Sequence, residues 1–500
     1  MSDLLHTTPG GALLVIAILL PVVGIILSFV LGGRHARRIA VLLAACGGAL
    51  ACVIAMETAR AGKPLVYAIG GLSPPLGIAL RADGVAATML VAVAVIVSAA
   101  YLYAWPKFAT PSQATEDRRA LTFWILLQAI WTGLTIIVLG GDLFSLYVAL
   151  EILTFAAVPL VCIEGRAETF AAALRYLIFA LFGSICYLLG VALVYGSYGT
   201  LDIVLLAGKA RPDLALWVAA GLMTAGLLAK TALFPLHLWL PPAHANAPAA
   251  ASAILSGLVV KGSFFLLLRL WFFVWPTLPT TQVASVLGAL GAAAILFGSA
   301  MALRQARLKL LIAYSTLAQI GYLFLVFPLA AGAHAWSALG WSAGVMQVLA
   351  HAFAKAAMFF SAGLVAEALG HDQIAGLKGA ARALPLTFLT LGLGGLSLMG
   401  LPPSGGFSAK WLMLQASVAS GQWIWNAPVL IGGLLAAGYV YRILAPALAD
   451  GEVVVKIPPR RSREAAGLAL ALMAMALGFA PQGYFDFIEI GRPLMTRSPT

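Results

Sequence analysis

The chain has 500 residues, of which 62% are hydrophobic and only 10% are charged. Soluble domains carry about 25% charged residues, so this composition excludes a soluble globular protein. The net charge of +12 lies in short clusters between long apolar runs, which is the pattern of the positive-inside rule and gives no indication of a nucleic-acid partner.

Apolar runs of about 20 residues recur along the whole chain, and each could cross a hydrocarbon core roughly 30 Å thick. They predict an all-α integral membrane protein with about fourteen spans. The spans lie near 11–32, 38–57, 78–105, 120–140, 142–164, 169–196, 214–239, 247–275, 283–303, 308–330, 337–367, 384–420, 424–448 and 464–482. The run 384–420 is long enough to contain a break. Residues 1–11 carry no lysine or arginine, so we expect the first span to be retained and not cleaved as a signal.

Positive residues fall in loops of one parity, which supports this span count. They are Arg34, Arg37 and Arg38; Lys107, Arg118 and Arg119; Arg166; Arg304, Arg307 and Lys309; Lys378 and Arg382; and Lys456, Arg460, Arg461 and Arg463. The positive-inside rule makes these loops cytoplasmic and places both termini on the extracytoplasmic side. The loop 197–213 is mixed, because it holds both cations and aspartates.

Two spans carry helix breakers close to a lysine. Pro235 follows Lys230, and the segment before Lys410 holds four further breakers. Those four are Pro402, Pro403, Gly405 and Gly406. Proline removes a backbone donor, and the carbonyls it opens are tolerated in lipid only where protein or water satisfies them. Broken helices beside a lysine are typical of ion pathways in transporters, although an ordinary proline kink is the alternative.

Ionisable residues inside the apolar runs are costly, so each needs a reason. Glu151 lies about 13 Å along its predicted helix from Asp142, which should mark the outer end of that span. Lys230 follows the apolar stretch 214–229, and Lys261 has apolar residues on both sides. Because apolar surroundings disfavour the charged form, these groups are suited to exchanging protons.

Further candidates share this character. His351 and Lys355 are four residues apart and therefore lie on one helix face. The remaining buried cations and histidines are Arg175, Lys410, His237 and His244. Arginine stays protonated, so Arg175 could tune its neighbours but hardly carry a proton. The alternative is a structural ion pair of Glu151 with Lys230 or Arg175, although pairing alone leaves the excess of buried positive residues unexplained.

The sequence indicates no metal site and no cofactor. The four cysteines lie inside apolar segments without the close spacing of zinc or redox motifs. Gly392-Leu-Gly-Gly lacks the rest of a dinucleotide fingerprint, and the histidines and cysteines are too scattered to ligate haem or an iron–sulfur cluster. We therefore expect no redox or hydrolytic chemistry in this chain itself.

Five motifs, in order along residues 80–445, resemble one family. They are Asp142-Leu-Phe-Ser-Leu-Tyr with Glu151; Lys230-Thr-Ala-Leu-Phe-Pro-Leu-His-Leu-Trp-Leu-Pro; Ala313-Tyr-Ser-Thr-Leu-Ala-Gln-Ile-Gly-Tyr; His351 to Lys355; and Gly400-Leu-Pro-Pro-Ser-Gly-Gly-Phe-Ser-Ala-Lys410. The chain is similar to the antiporter-like proton-translocating subunits of Mrp-type sodium/proton antiporters, respiratory complex I and membrane-bound hydrogenases.

The resemblance implies two inverted five-helix repeats with the seventh and twelfth helices broken. The implied division is 1–110 for the first three helices, 120–275 for the first repeat, 283–448 for the second repeat, and 460–500 for the last helix and tail. It implies a proton path in which Glu151 pairs with Lys230, Lys261 leads onward through His351 and Lys355, and Lys410 is the far end. Arg175, His237, His244 and Asp142 are expected to support or tune this path.

The branch of the family is open from the sequence. The residues after Lys410 look most like the D subunit of the Mrp antiporters, whereas the segment around His237 looks more like complex I and hydrogenase members. We expect a proton-translocating subunit of a multi-subunit Mrp-type antiporter that exchanges protons for Na⁺. It would be bound to other membrane subunits in the bilayer of a bacterial cytoplasmic (inner) membrane. The alternatives are a subunit of a redox-driven pump and a purely structural anchoring subunit.

Overall fold

The computed structural model describes residues 4–109, 117–278, 280–332 and 334–492. Within these residues, 13 helices are long and apolar enough to cross a membrane. A fourteenth crossing is made of two shorter helices, Pro385–Met399 and Gly405–Ala419. The predicted all-α membrane architecture of about fourteen spans is confirmed. The inverted relation of the two repeats stays a prediction.

The membrane helices follow the predicted spans closely. They are α1 (Ala12–Leu31), α2 (Gly33–Ala61), α3 (Gly84–Ala104), α4 (Arg118–Leu139), α5 (Leu143–Cys162), α6 (Ala167–Tyr198), α7a (Leu214–Thr231), α7b (Leu240–Asn246), α8 (Ala249–Val274), α9 (Thr281–Arg304), α10 (Leu308–Leu329), α11 (Ala335–Leu369), α12a (Pro385–Met399), α12b (Gly405–Ala419), α13 (Asn426–Leu448) and α14 (Arg461–Ala476). Helices α8 and α11 are buried along their length and form the centre of the molecule.

One predicted span begins too early. The sequence placed a helix from residue 78, but β2 (Ala79–Ala82) pairs antiparallel with β1 (Leu65–Ala68) in a hairpin, and α3 begins only at Gly84. Asp83 caps α3 by accepting a hydrogen bond from Ala86 N at 2.8 Å, which satisfies a free donor of the first turn. The strand escaped prediction because its partner lies 11 or more residues away along the chain.

Short helices also occupy several loops. They are Ile203–Lys209, Ile374–Leu377, Ala380–Ala383, Trp423–Trp425 and Gln482–Ile488.

Contacts between loops divide the ends of the helices into two faces. On the cationic face, defined by the arginine- and lysine-rich loops, Lys107 contacts both Glu164 and Glu367, and Arg307 pairs with Asp372 at 3.0 Å. These contacts join loops that the charge pattern had assigned to one side.

On the opposite face, which we call the hairpin face, Thr8 N donates to Val66 O at 2.9 Å and Gly84 N donates to Ile490 O at 3.0 Å. The two ends of the described chain therefore lie on the same face, the one that carries the β-hairpin.

Glycines allow two helix pairs to pack closely. In α6 and α7a, a Cβ added to Gly226 would lie 2.4 Å from Gly183 O. In α9 and α10, a Cβ added to Gly321 would lie 2.3 Å from Gly291 O. Close approach of backbones through small residues is a main source of helix association in membranes. The first of these contacts sets the position of Lys230, which follows Gly226 by one turn.

Candidate functional site

The first predicted break is present and is hydrogen-bonded within the protein. Helix α7a ends at Thr231, Ala232 adopts a left-handed conformation with φ of 60°, and residues 233–239, which include Pro235, lead into α7b. Trp239 Nε1 donates to Ala229 O at 2.9 Å, which satisfies a carbonyl at the open end of the helix. We call residues 232–239 the proximal break.

Lys230 lies immediately before the proximal break and pairs with Glu151. Its Nζ is 3.3 Å from Glu151 Oε1 and donates to Thr154 Oγ1 at 3.0 Å. The Ser184 hydroxyl, on α6, donates to the same Glu151 oxygen. The Lys230 side chain is 6% exposed and that of Glu151 is 15% exposed, so the pair is largely shielded from the surroundings. Glu151 is the ninth residue of α5, midway along the helix as predicted.

A small pocket lies beside this pair. Its lining includes Thr154, Tyr176, Lys230 and Ser263, so polar groups of α5, α6, α7a and α8 meet there. Thr231 Oγ1 lies 3.0 Å from Ser263 Oγ, which carries the polar contacts from α7a to α8.

Lys261 lies on α8, two residues before Ser263. Its Nζ donates to Ser256 O, within a π-helical turn that spans Leu255–Val259. Turns of this kind inside α-helices are frequent at functional sites, because the extra residue redirects the backbone carbonyls. Ser256 Oγ lies 2.9 Å from Thr316 Oγ1 on α10. The π turn thus connects Lys261 to the next helix.

Lys355, on α11, makes the next polar contacts. Its Nζ donates to Ile312 O at 2.8 Å and to the Ser315 hydroxyl. Thr316 Oγ1 lies 3.1 Å from the same Ile312 carbonyl. Hydroxyls and carbonyls of α8 and α10 therefore connect Lys261 to Lys355. Both lysines are fully buried.

Two histidines complete a central cluster, which we define as Lys261, Lys355, His351 and His244. The electrostatic neighbours of His351 are the other three members of the cluster. Among the residues that the structure describes, the ring nitrogens of His351 and His244 have no hydrogen-bond partner, although both side chains are buried. Buried polar groups of this kind ordinarily bond to water.

Glutamines lead from the central cluster toward the distal lysine. Gln347 lies one turn before His351 on α11, and its Nε2 donates to Gln319 Oε1 at 2.9 Å. Gln319 Nε2 donates to Leu398 O at 3.1 Å. Lys410 Nζ donates to the same carbonyl at 2.7 Å. Leu398 O is therefore shared by Lys410 and the pair Gln319–Gln347, which we call the glutamine bridge.

At the second break, the groups that bind Lys410 are neutral. Besides Leu398 O, its Nζ donates to Met399 O at 2.9 Å and lies 4.5 Å from the ring centroid of Tyr322. Both carbonyls belong to the last turn of α12a, where the helix dipole favours a cation. Gly400 ends α12a in a left-handed conformation with φ of 81°. We call residues 400–404, which include Pro402 and Pro403, the distal break.

Gly405 and Gly406 were predicted as part of this break, and that prediction was wrong. Ser404 caps α12b, and the two glycines are its first residues. A Cβ on Gly406 would lie 1.9 Å from Ser397 O. These glycines therefore let α12b approach α12a closely.

Over the ranges that the structure covers, three of the predicted supporting residues make no polar contact with the lysines described above. Arg175 is exposed on α6 and, within the described part of the chain, pairs with no carboxylate, so the alternative pair with Glu151 is not formed. Asp142 caps α5 by accepting from Ser145 N at 2.8 Å. His237 lies in the proximal break between Phe234 and Phe297. Of the four supporting residues, only His244 belongs to the central cluster.

The sequence alone assigns no role to the neutral members of this line of polar contacts. They are Thr154, Ser184, Ser256, Ser263, Ser315, Thr316, Gln319 and Gln347. One signal was available, because Gln347, His351 and Lys355 recur every four residues and therefore share a face of α11. The hydroxyls gave no such signal, since serine and threonine are common in membrane helices.

Known proteins match both the sequence and the fold. The family model described as "NADH:quinone oxidoreductase/Mrp antiporter, TM" matches residues 140–436. The chain is 36% identical to NADH-quinone oxidoreductase subunit N of Desulforudis audaxviator over 447 residues, covering 86% of each protein. It is 29% identical to the D subunit of a Na(+)/H(+) antiporter of Alkalihalophilus pseudofirmus over 373 residues, covering 74% of this chain and 73% of that protein.

A solved structure covers nearly the whole chain. A subunit of the membrane-bound sulfane sulfur reductase, an archaeal respiratory membrane complex, is 27% identical, superimposes with a TM-score of 0.86 and covers 97% of this chain and 99% of its own. On the strength of these matches, which span both predicted breaks and all of the line of contacts between them, the chain belongs to the NADH:quinone oxidoreductase/Mrp antiporter family of membrane subunits.

Proposed function

We propose that the chain is the proton-translocating, antiporter-like subunit of a redox-driven membrane complex. The observation that carries this proposal is the series of buried polar contacts that begins at the Glu151–Lys230 pair, includes those of Lys261 and Lys355, and ends at Lys410. The similarity to subunit N of an NADH-quinone oxidoreductase over 86% of the chain supports a redox-driven complex over the sodium exchange expected from the sequence.

In this proposal Glu151 controls the charge of Lys230. Lys230 Nζ and Glu151 Oε1 are 3.3 Å apart, and doubling this distance would remove about 2.5 kcal/mol of attraction at an effective dielectric constant near 20. Lys230 would then release its proton more readily. Thr154 and Ser184 hold the pair in position through their hydroxyls.

The released proton passes to Lys261, then to Lys355 and His351, and reaches Lys410 through the glutamine bridge. Hydroxyls and carbonyls link Lys261 to Lys355, and water serves where the ring nitrogens of His351 and His244 have no protein partner among the described residues. Lysine and histidine can each take up and release a proton, which an arginine cannot do at these positions.

The proposal includes other subunits. Oxidation of a donor in partner chains would supply the energy, and this chain would move the protons. The assembly would lie in a bacterial cytoplasmic membrane with the cationic face toward the cytoplasm.

Reconstitution of the intact complex in proteoliposomes tests the proposal. Donor oxidation should acidify or alkalinise the lumen, and Glu151→Gln and Lys230→Ala should each abolish this pH change while the complex still assembles. Undiminished proton translocation in both variants would exclude the relay.

A second candidate is the Mrp-type antiporter, and the 29% identity to the D subunit of a Na(+)/H(+) antiporter favours it. The same proteoliposomes distinguish the two functions. A pH change driven by a Na⁺ gradient without an electron donor would identify an antiporter, whereas dependence on the donor would identify a redox-driven pump.

A further inference from the structure

Five arginines gather where α2 and α4 begin on the cationic face. Arg34, Arg37 and Arg38 lie in the first two turns of α2, and Arg118 and Arg119 are the first residues of α4. We call these five residues the arginine cluster. The neighbouring Asp117 uses its carboxylate to cap α4, accepting from Arg119 N at 2.9 Å and from Ala120 N at 3.2 Å. Glu116 lies outside the described residues.

Two members of the cluster stack on a single turn of the chain. The Arg37 guanidinium lies 4.8 Å from the ring centroid of Trp105, and that of Arg119 lies 5.7 Å from the ring centroid of Phe108. Both rings belong to the turn 105–108 that follows α3. One arginine of α2 and one of α4 therefore contact rings that are three residues apart in this turn.

This turn is a rigid platform. The Phe108 ring stacks on Phe123 with centroids 3.6 Å apart, and Trp124 Nε1 donates to Phe108 O at 2.9 Å. A guanidinium held over an aromatic ring can still offer N–H groups to a second partner, and its planar N–H edge matches the oxygens of a phosphate. The positive-inside rule explains arginines on this face, but it does not require them to stack on one turn.

An exposed apolar surface adjoins the cluster. At the end of α1, Phe29 is 73% exposed and Val30 is 71% exposed, and α2 begins two residues after Leu31. On α2 itself, Leu42 is 65% exposed. Phosphate-binding edges and an acyl-binding surface therefore meet at the depth where a phospholipid has its headgroup and the start of its chains.

We propose that this surface binds an anionic phospholipid. The phosphate lies between Arg37 and Arg119, Arg38 and Arg118 supply further positive charge, and the acyl chains lie along Phe29, Val30 and Leu42. The apolar surface distinguishes a lipid from free phosphate, which would use the guanidinium edges alone. The lipid site is separate from the polar contacts between Lys230 and Lys410, and it does not depend on the proposed function.

Native mass spectrometry of the purified complex, exchanged into nanodiscs of phosphatidylglycerol and phosphatidylcholine, tests the site. The double variant Arg37→Gln/Arg119→Gln should retain roughly 25-fold less phosphatidylglycerol, a factor of about five for each arginine. The matched control is Arg382→Gln/Arg461→Gln, which removes two exposed arginines from the same face. We expect this control to leave lipid retention unchanged.

A third variant isolates the geometry. Arg37→Lys/Arg119→Lys keeps the charge but loses the planar edge, so its retention should fall between those of the native protein and the glutamine variant. Equal retention in the native, glutamine and control proteins would overturn the proposal. Displacement of the lipid by inorganic phosphate alone would also overturn it. So would burial of both arginines by a partner subunit in the assembled complex, which would protect them from arginine-specific labelling in lipid-free detergent.

Discussion

The two helix breaks each place a lysine at an open helix end, but they hold it differently. At the proximal break, Lys230 Nζ lies 3.3 Å from a carboxylate oxygen of Glu151, an ionisable side chain. At the distal break, Lys410 is bound by the carbonyls of Leu398 and Met399 and by the ring of Tyr322, which are neutral and fixed in the helices. In the part of the chain described here, no carboxylate pairs with Lys410.

This difference suggests that Lys230 and Lys410 have different roles in proton transfer. A carboxylate that can move away changes the stability of a neighbouring ammonium by several kcal/mol, whereas fixed carbonyl dipoles change it little. In the proposed mechanism, Lys230 would be the switch and Lys410 a terminal site that responds to it. Each prediction below removes or imitates one side of this contrast.

The largest effect is expected from Lys230→Arg. The guanidinium can keep the ion pair with Glu151, but it does not release a proton at any ordinary pH. Proton translocation per electron in proteoliposomes should fall about a hundredfold or more, the scale of a lost proton-transfer group, while assembly stays intact. Lys209→Arg, at an exposed lysine, is the control. Normal translocation by Lys230→Arg would mean that the pair is only structural.

A new carboxylate at the distal break should make the surroundings of Lys410 resemble those of Lys230. A Cβ at Gly433 would lie 3.8 Å from Lys410 Nζ, so Gly433→Asp would place a counter-ion beside this lysine. Lys410 would then hold its proton, and translocation should fall about tenfold, equivalent to ~1.4 kcal/mol. Gly433→Asn has nearly the same shape without the charge. If both variants lose translocation equally, the effect is steric, because the added Cβ also lies 3.2 Å from Met399 O.

Breaking the glutamine bridge should separate the two lysines. Gln319→Leu removes the contacts to Gln347 and Leu398 O, and translocation should fall about fivefold, equivalent to about 1 kcal/mol. Gln128→Leu is a matched control, because Gln128 is also buried and its Nε2 bonds to Ser28 Oγ at 3.1 Å, away from the line. Equal loss in both variants would argue that leucine at any buried glutamine is disruptive.

The smallest effect concerns the packing that positions Lys230. A Cβ at Gly226 would lie 2.4 Å from Gly183 O, so Gly226→Ala should push α7a from α6 and cost about 1–3 kcal/mol of stability. The thermal midpoint of the purified complex should fall, and translocation should decrease less than in the variants above. Gly221→Ala, on the same helix with no atom within 4 Å of the added Cβ, should leave both unchanged. A lower midpoint for both would show that the helix itself needs glycine.

The sequence predicted those parts of the site that are expensive in lipid. A charge within an apolar run stands out, so Glu151, Lys230 and Lys410 were found, and proline beside two of them located both breaks. Neutral hydroxyls and amides carry no such penalty, so Ser256, Thr316 and Gln319 received no role until distant helices were seen to meet at them.

The remaining errors have the same origin. Whether Arg175 faces Glu151 depends on the rotation of α6 about its axis, which residue spacing does not determine when the apolar pattern surrounds the helix. The two glycines of α12b and the strands of the hairpin likewise depend on which segments come into contact.

Interruption of the line at its middle tests the central claim most directly. Lys355→Met keeps the length and apolar stem of the side chain but removes the group that donates to Ile312 O, far along the chain from both breaks. Proton translocation per electron by the assembled complex, measured in proteoliposomes, should fall at least about tenfold with the proximal pair intact. Native stoichiometry in Lys355→Met would contradict a proton path from Lys230 to Lys410.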